Sequence, residues 1–171
     1  DTEVIVHLYE QYGLDFVTHL RGMFALAIWD LKCQRLVIAR DRAGKKPCYY
    51  RMEDGRLSFA SELKALLQIP DVPRTLNRHA VLQFLMLQYV PHPHCILEGF
   101  HKLPPATIAV LENGNLSLQS YWSAPYDQPD LDRNSVDDWR EELDATLTEA
   151  VRLRLRSDVP LGAFLSGGID S

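Results

Sequence analysis

The chain has 171 residues, enough for one full domain or a domain and part of another, with 46% hydrophobic and 24% charged residues, as in ordinary water-soluble globular proteins. A net charge of -5 offers no electrostatic attraction for nucleic acid or an anionic membrane, and no apolar run approaches the length that spans a bilayer. Cys33, Cys48 and Cys95 are odd in number and lack metal or disulfide spacing, which suits reduced thiols in a cytoplasm.

Asp1 or Thr2 can cap an opening helix in which Val4, Ile5, Leu8, Tyr9 and Tyr12 share one face and Gly13 is the stop. A second helical turn is predicted over 15–20. Residues 22–30 are almost wholly apolar and read as a strand buried on both faces. After the polar turn Lys32-Cys33-Gln34, residues 35–40 return as a second strand. A charged loop follows, Arg40-Asp41-Arg42-Ala43-Gly44-Lys45-Lys46-Pro47, which an Arg–Asp pair would steady. Residues 49–52 and 57–60 pair around Asp54-Gly55, and Ser61 can cap a short helix to Leu67. Strands joined by tight turns predict an antiparallel sheet with helices lying on it.

Residues 76–87 read as a helix with Asn77 a candidate cap. The loop over 88–105 holds four prolines together with His92, His94, Cys95 and His101, whose spacing is not that of a zinc site. Asn113-Gly114 joins strands over 107–111 and 116–119. Residues 123–134 read as a linker. Ser135 then caps a long helix, with Asp138 completing a capping box and Trp139, Leu143, Leu147, Ala150 and Val151 forming an apolar stripe as far as about Arg156. Arg152, Arg154 and Arg156 suit the helix dipole, or would contact phosphates. Pro160 ends this element, and residues 161–165 are predicted as a buried strand.

Directly after that run stands Ser166-Gly167-Gly168-Ile169-Asp170-Ser171. Glycines let backbone amides approach an anion closely, successive N–H groups form an anion nest, and a following helix N-terminus would add its positive end. Small residues here predict a phosphate or pyrophosphate ligand; the alternative is a plain Gly-Gly turn. The spacing and lysine of a Walker loop are absent. The stretch resembles the pyrophosphate loop of ATP pyrophosphatases.

The first part carries its own set of motifs. Arg21-Gly22-Met23-Phe24-Ala25, Ala39-Arg40-Asp41-Arg42, Gly44-Lys45-Lys46-Pro47, Tyr49-Tyr50 and Phe59-Ala60-Ser61-Glu62-Leu63-Lys64-Ala65-Leu66 occur in this order. Together they resemble the glutamine amidotransferase domain of glutamine-hydrolysing asparagine synthetases, with Cys48 where that motif usually has Leu. The resemblance implies an α+β N-terminal-nucleophile αββα sandwich, truncated at its start, over 1–122. It further implies a linker over 123–134 and the beginning of an α/β ATP-pyrophosphatase domain over 135–171.

In such enzymes an N-terminal cysteine attacks the glutamine amide with its own α-amine as base. The ammonia then meets a β-aspartyl-AMP intermediate made from aspartate and ATP with magnesium. No cysteine here can be that nucleophile, so no catalytic residue is assigned, and the chain is expected to be an internal fragment inactive in both half-reactions. Asp1, ahead of Glu3-Val4, matches the aspartate that binds the α-amine of glutamine. Leu165, Ser166, Gly167, Gly168, Asp170 and Ser171 match the ATP and pyrophosphate positions, with Asp170 helping to organise Mg. The expected partners are glutamine, aspartate and ATP, with a homodimer left open. A homologous amidotransferase or cyclising ligase acting on another carboxylate, and a non-catalytic homologue, are the alternatives.

Overall fold

The computed structural model describes residues 2–126 and 135–169. The chain divides into two compact units, Asp1–Ala124 and Pro125–Ser171.

The first unit opens with helix α1 (Glu3–Tyr12), ended by Gly13 at φ 57°, and continues in a 3-10 helix over Gly13–His19. Thr2 stands at the N-cap position, but its side chain makes no capping bond. Strands β1 (Ala25–Asp30) and β2 (Arg35–Arg40) form a hairpin. In its turn the Asp30 carboxylate accepts from the amides of Lys32 and Cys33. Strands β3 (Tyr49–Glu53) and β4 (Arg56–Ala60) pair around Asp54 and Gly55, both at positive φ, as a primed hairpin turn requires. Helix α2 is a single turn, Leu63–Leu66, and its N-cap is Glu62, not Ser61. Helix α3 (Arg78–Leu87) starts as predicted at Asn77, whose side chain accepts from the Ala80 amide. Strand β5 (His101–Lys102) is followed by β6 (Thr107–Glu112) and β7 (Asn115–Ser120). The β6–β7 turn again places Asn113 and Gly114 at positive φ.

The strands make two antiparallel sheets, ordered β1-β2-β6-β7 and β4-β3-β5. The β2–β6 register sets Val37 opposite Val110, Ile38 opposite Ala109 and Ala39 opposite Ile108. Side chains alternate across a sheet, so these pairs divide between two faces. Val37, Ala39, Ile108 and Val110 pack with Phe16 and Val17 under α1 and the 3-10 helix. Ile38 and Ala109 pack on the other face with Cys48, Tyr50 and Leu103, so this second core joins the two sheets. A third cluster, Leu66, Cys95, Leu97 and Phe100 with Tyr49 and Leu63, buries α2 and the loop before β5.

Strand β1 departs from expectation. It is half-buried on alternate residues, with Trp29 51% exposed. The strand forms an edge, and none of its residues belongs to the core between the sheets. Among the described residues, Leu26 and Ile28 of its apolar run pack against the cluster under α1.

The second unit holds helix α4 (Val136–Arg154), whose predicted capping box is formed: the Ser135 side chain accepts from the Asp138 amide and the Asp138 carboxylate accepts from the Ser135 amide. Its stripe Trp139, Leu143, Leu147 and Val151 is exposed. The strand predicted over 161–165 is not formed, and Leu161, Phe164 and Leu165 are exposed. A strand is stable only when neighbours satisfy its backbone, and this unit contains no other strand among the described residues.

Candidate functional site

A cavity of about 540 Å³ lies in the first unit. Thr2, Val4 and Ile5 line it from the start of α1, residues 20–26 from the approach to β1, and Lys46, Pro47 and Ser61 from two later loops. Three of the motif stretches quoted above, separated by up to some forty residues of chain, thus meet at one cavity: Arg21 to Ala25, Lys46-Pro47 and Ser61. Gly22, at φ 139°, takes a conformation that a side chain disfavours, and it does so on this wall. The wall is mixed, with the apolar side chains of Val4, Ile5, Leu20, Met23 and Phe24 beside polar Thr2, Arg21, Lys46 and Ser61. Such a lining suits a small molecule with both polar and aliphatic parts.

Behind the wall lies the charged loop, and it is not held by an Arg–Asp pair. Asp41 is buried, 1% exposed, and its carboxylate accepts three backbone amides: Phe24 at 3.2 Å, Lys45 at 2.9 Å and Lys46 at 3.0 Å. Its own amide donates to the Phe24 carbonyl at 2.9 Å. The Arg40 guanidinium points to carbonyls instead: Nε to Lys46 at 2.7 Å, Nη2 to Gly44 at 2.6 Å and Nη1 to Leu103. A buried charge requires compensation, and here each charge finds it in the backbone. Tyr121 closes the network, its hydroxyl donating to the Arg40 carbonyl at 2.8 Å. Burial pushes the Tyr121 phenol up to about 12, with nearby Asp41 adding to the rise and Arg42 opposing it.

Of the residues expected to bind glutamine, Asp1 lies outside the described residues, and its chain neighbour Thr2 is on the cavity wall. None of the three cysteines lines this cavity. Cys33 is exposed in the β1–β2 turn, whereas Cys48 and Cys95 are buried, and burial pushes the Cys48 thiol up. Among the histidines, His94 Nδ1 lies 3.1 Å from Gln83 Oε1 and its ring meets His79 edge-on. His101 stacks on Tyr50, and burial followed by the neighbouring His94 holds its pKa below the usual value. No group of three His, Cys, Asp or Glu side chains able to hold a metal occurs among the described residues.

In the second unit Leu165, Ser166, Gly167 and Gly168 form an exposed bend in which the Ser166 hydroxyl accepts from the Gly168 amide at 3.2 Å. No atom of the described residues lies within 4 Å of the space a side chain at Gly167 would fill, so an anion could approach its backbone. Asp170 and Ser171 lie outside the described residues. Sequence reasoning singled out this loop but not the lining of the large cavity. The signal for that lining was present in the spacing of the first motif set, whose members had no assigned roles.

Residues 1–122 match the family model described as the glutamine amidotransferase domain, and residues 142–171 match the asparagine synthase model. Among curated proteins, the chain is 37% identical over its whole length to a provisionally named glutamine-hydrolysing asparagine synthetase 2 of Methanocaldococcus jannaschii, covering 33% of that protein. It is 37% identical to the amidase chry2 of Gibberella zeae, covering 25% of it, and 36% identical to the glutamine-hydrolysing asparagine synthetase 3 of Bacillus subtilis, covering 28%. The whole chain aligns in each case, and it spans about a quarter to a third of the length of these relatives. No helix among the described residues is long and apolar enough to cross a membrane.

Proposed function

The chain belongs to the glutamine amidotransferase domain family, and from that premise we propose that it serves a glutamine-hydrolysing asparagine synthetase: glutamine supplies ammonia to a carboxylate of aspartate activated by ATP. The observation that carries this reading is the convergence of Thr2, residues 20–26, Lys46, Pro47 and Ser61 on one cavity beside the start of the chain. The paired sheets with their helical layers are, on this reading, the family's N-terminal-nucleophile sandwich.

Glutamine would lie in the cavity with its methylenes against Leu20, Met23 and Phe24. The resemblance assigns its α-ammonium to Asp1, which lies outside the described residues. A carboxylate facing an ammonium orients the amino acid and rejects analogues that lack the charge. In the second unit, Ser166, Gly167 and Gly168 would hold phosphate oxygens through amides and hydroxyl, and Asp170 would help to hold the magnesium of the nucleotide. Magnesium offsets charge on a departing pyrophosphate when bound. The isolated bend would need neighbouring strands to present these donors in concert, because preorganised donors are what stabilise developing charge.

A second reading is favoured by the fungal amidase, as similar as the archaeal synthetase: the same ammonia-supplying domain with another acceptor carboxylate. Assay of the full-length protein separates the two. Asparagine and AMP are expected from glutamine, ATP and aspartate; if aspartate fails to trigger AMP release, the first reading is wrong, and AMP release with another carboxylate would establish the second.

A further inference from the structure

Two walls of the large cavity are tied to a single side chain that does not itself line it. Phe24 belongs to the wall formed by residues 20–26, and Lys46 to the loop that follows β2. The Asp41 carboxylate accepts from both amides through the same oxygen, Oδ2, at 3.2 and 3.0 Å, while Oδ1 takes the Lys45 amide at 2.9 Å. The main chain of Asp41 adds further ties: its amide donates to the Phe24 carbonyl, and its carbonyl accepts from Gly44 and Ala106. Phe24 is thus bonded to Asp41 in both directions, so it cannot shift without breaking a bond to a buried charge.

We infer that Asp41 is a positioning residue for glutamine, holding the Phe24 wall and the Lys46 wall at the separation the substrate needs. This rests on the reading of the cavity as the glutamine site. A salt bridge could not do the same work, because a flexible cation would hold one wall only loosely. The buried acceptor is also hard to replace: an amide in its place offers one oxygen and sets an N–H against one of the three donors. Arg40 complements the arrangement from the carbonyl side, bonding Lys46, Gly44 and Leu103.

The test measures how tightly the full-length protein takes up glutamine, read as the KM of glutamine hydrolysis beside its kcat, together with melting temperature. Wild type is compared with Asp41→Asn, Asp41→Ala, Leu97→Ala and Ser61→Phe. Asp41→Ala is expected to bind glutamine about tenfold more weakly, the scale of one lost hydrogen bond to a charged group, with Asp41→Asn between it and wild type. Leu97→Ala truncates a buried side chain in a cluster none of whose members lines the cavity, so it lowers the melting temperature and leaves KM within about twofold. If Asp41→Ala does not fold, Asp41→Asn against Leu97→Ala decides. The inference is overturned if the Asp41 variants melt earlier yet bind as wild type does, or if Leu97→Ala weakens binding as much. Ser61→Phe, which places a ring on the cavity lining, separates the two levels of the argument. If it weakens binding while the Asp41 variants do not, only the positioning role fails; if it has no effect, or wild type takes up no glutamine, the cavity is misassigned and both ideas fall.

Discussion

Two glycines at nearly the same backbone angle allow steric crowding to be separated from conformational strain. Gly44 has φ 63° and Gly114 φ 77°, so an alanine at either meets the left-handed region that side chains disfavour, at about 1–2 kcal/mol. The surroundings differ. A Cβ at Gly114 has nothing within 4 Å, whereas one at Gly44 would stand 2.8 Å from the Pro105 ring and 3.1 Å from the Arg40 guanidinium carbon. Neither neighbour can retreat easily, since Pro105 is a ring and Arg40 is committed to the carbonyls of Lys46, Gly44 and Leu103. Overpacking of that kind adds about 1–3 kcal/mol. Gly44→Ala is therefore expected to destabilise the protein by about 2–5 kcal/mol and Gly114→Ala by about 1–2 kcal/mol. Urea unfolding with unchanged denaturant slope measures the difference. If the two variants unfold within about 0.5 kcal/mol of each other, the crowding around Arg40 is not what the geometry implies.

Two further outcomes follow from the titratable groups. Tyr121→Phe removes the hydroxyl bond to the Arg40 carbonyl and should destabilise by about 1 kcal/mol below the ordinary phenol pKa. Because the folded phenol is raised to about 12 from 10.0, wild type loses that advantage as pH rises from the unfolded value through the folded one; a gap to Tyr121→Phe that stays constant across this range would contradict the assignment. For the thiols, peptide mapping after brief treatment with a disulfide reagent should find Cys33 labelled well before Cys48 and Cys95, which react only after denaturation. Early labelling of Cys48 would show that the core between the sheets opens readily.

Local chemistry explains which elements could be read directly from the residues. Asp54-Gly55 and Asn113-Gly114 each adopt two successive positive φ angles, a condition satisfied within four residues of chain. Asn77 and the Ser135–Asp138 box cap their helices through bonds spanning three residues. Asp41 was legible only as a loop charge. Its acceptor role depends on Phe24, seventeen positions earlier, and on a turn that brings Lys45 and Lys46 back over β2. The apolar run in β1 likewise contained no sign that one face would be left open, because position in the sheet order is not a property of the strand itself.

The residues alone determined the Asp-Gly and Asn-Gly turns, the caps at Asn77 and Ser135 and the family whose motifs the chain carries, because each depends on neighbours in sequence. Tertiary structure alone decided that β6 lies beside β2, that distant motif stretches line one cavity, and that a buried carboxylate binds amides from two of its walls. It also decided that residues 161–165 form no strand in this unit. The reason is common to all four: hydrogen-bond partners and apolar cover come from segments far away in the chain, and a local pattern specifies what a segment needs without specifying what supplies it.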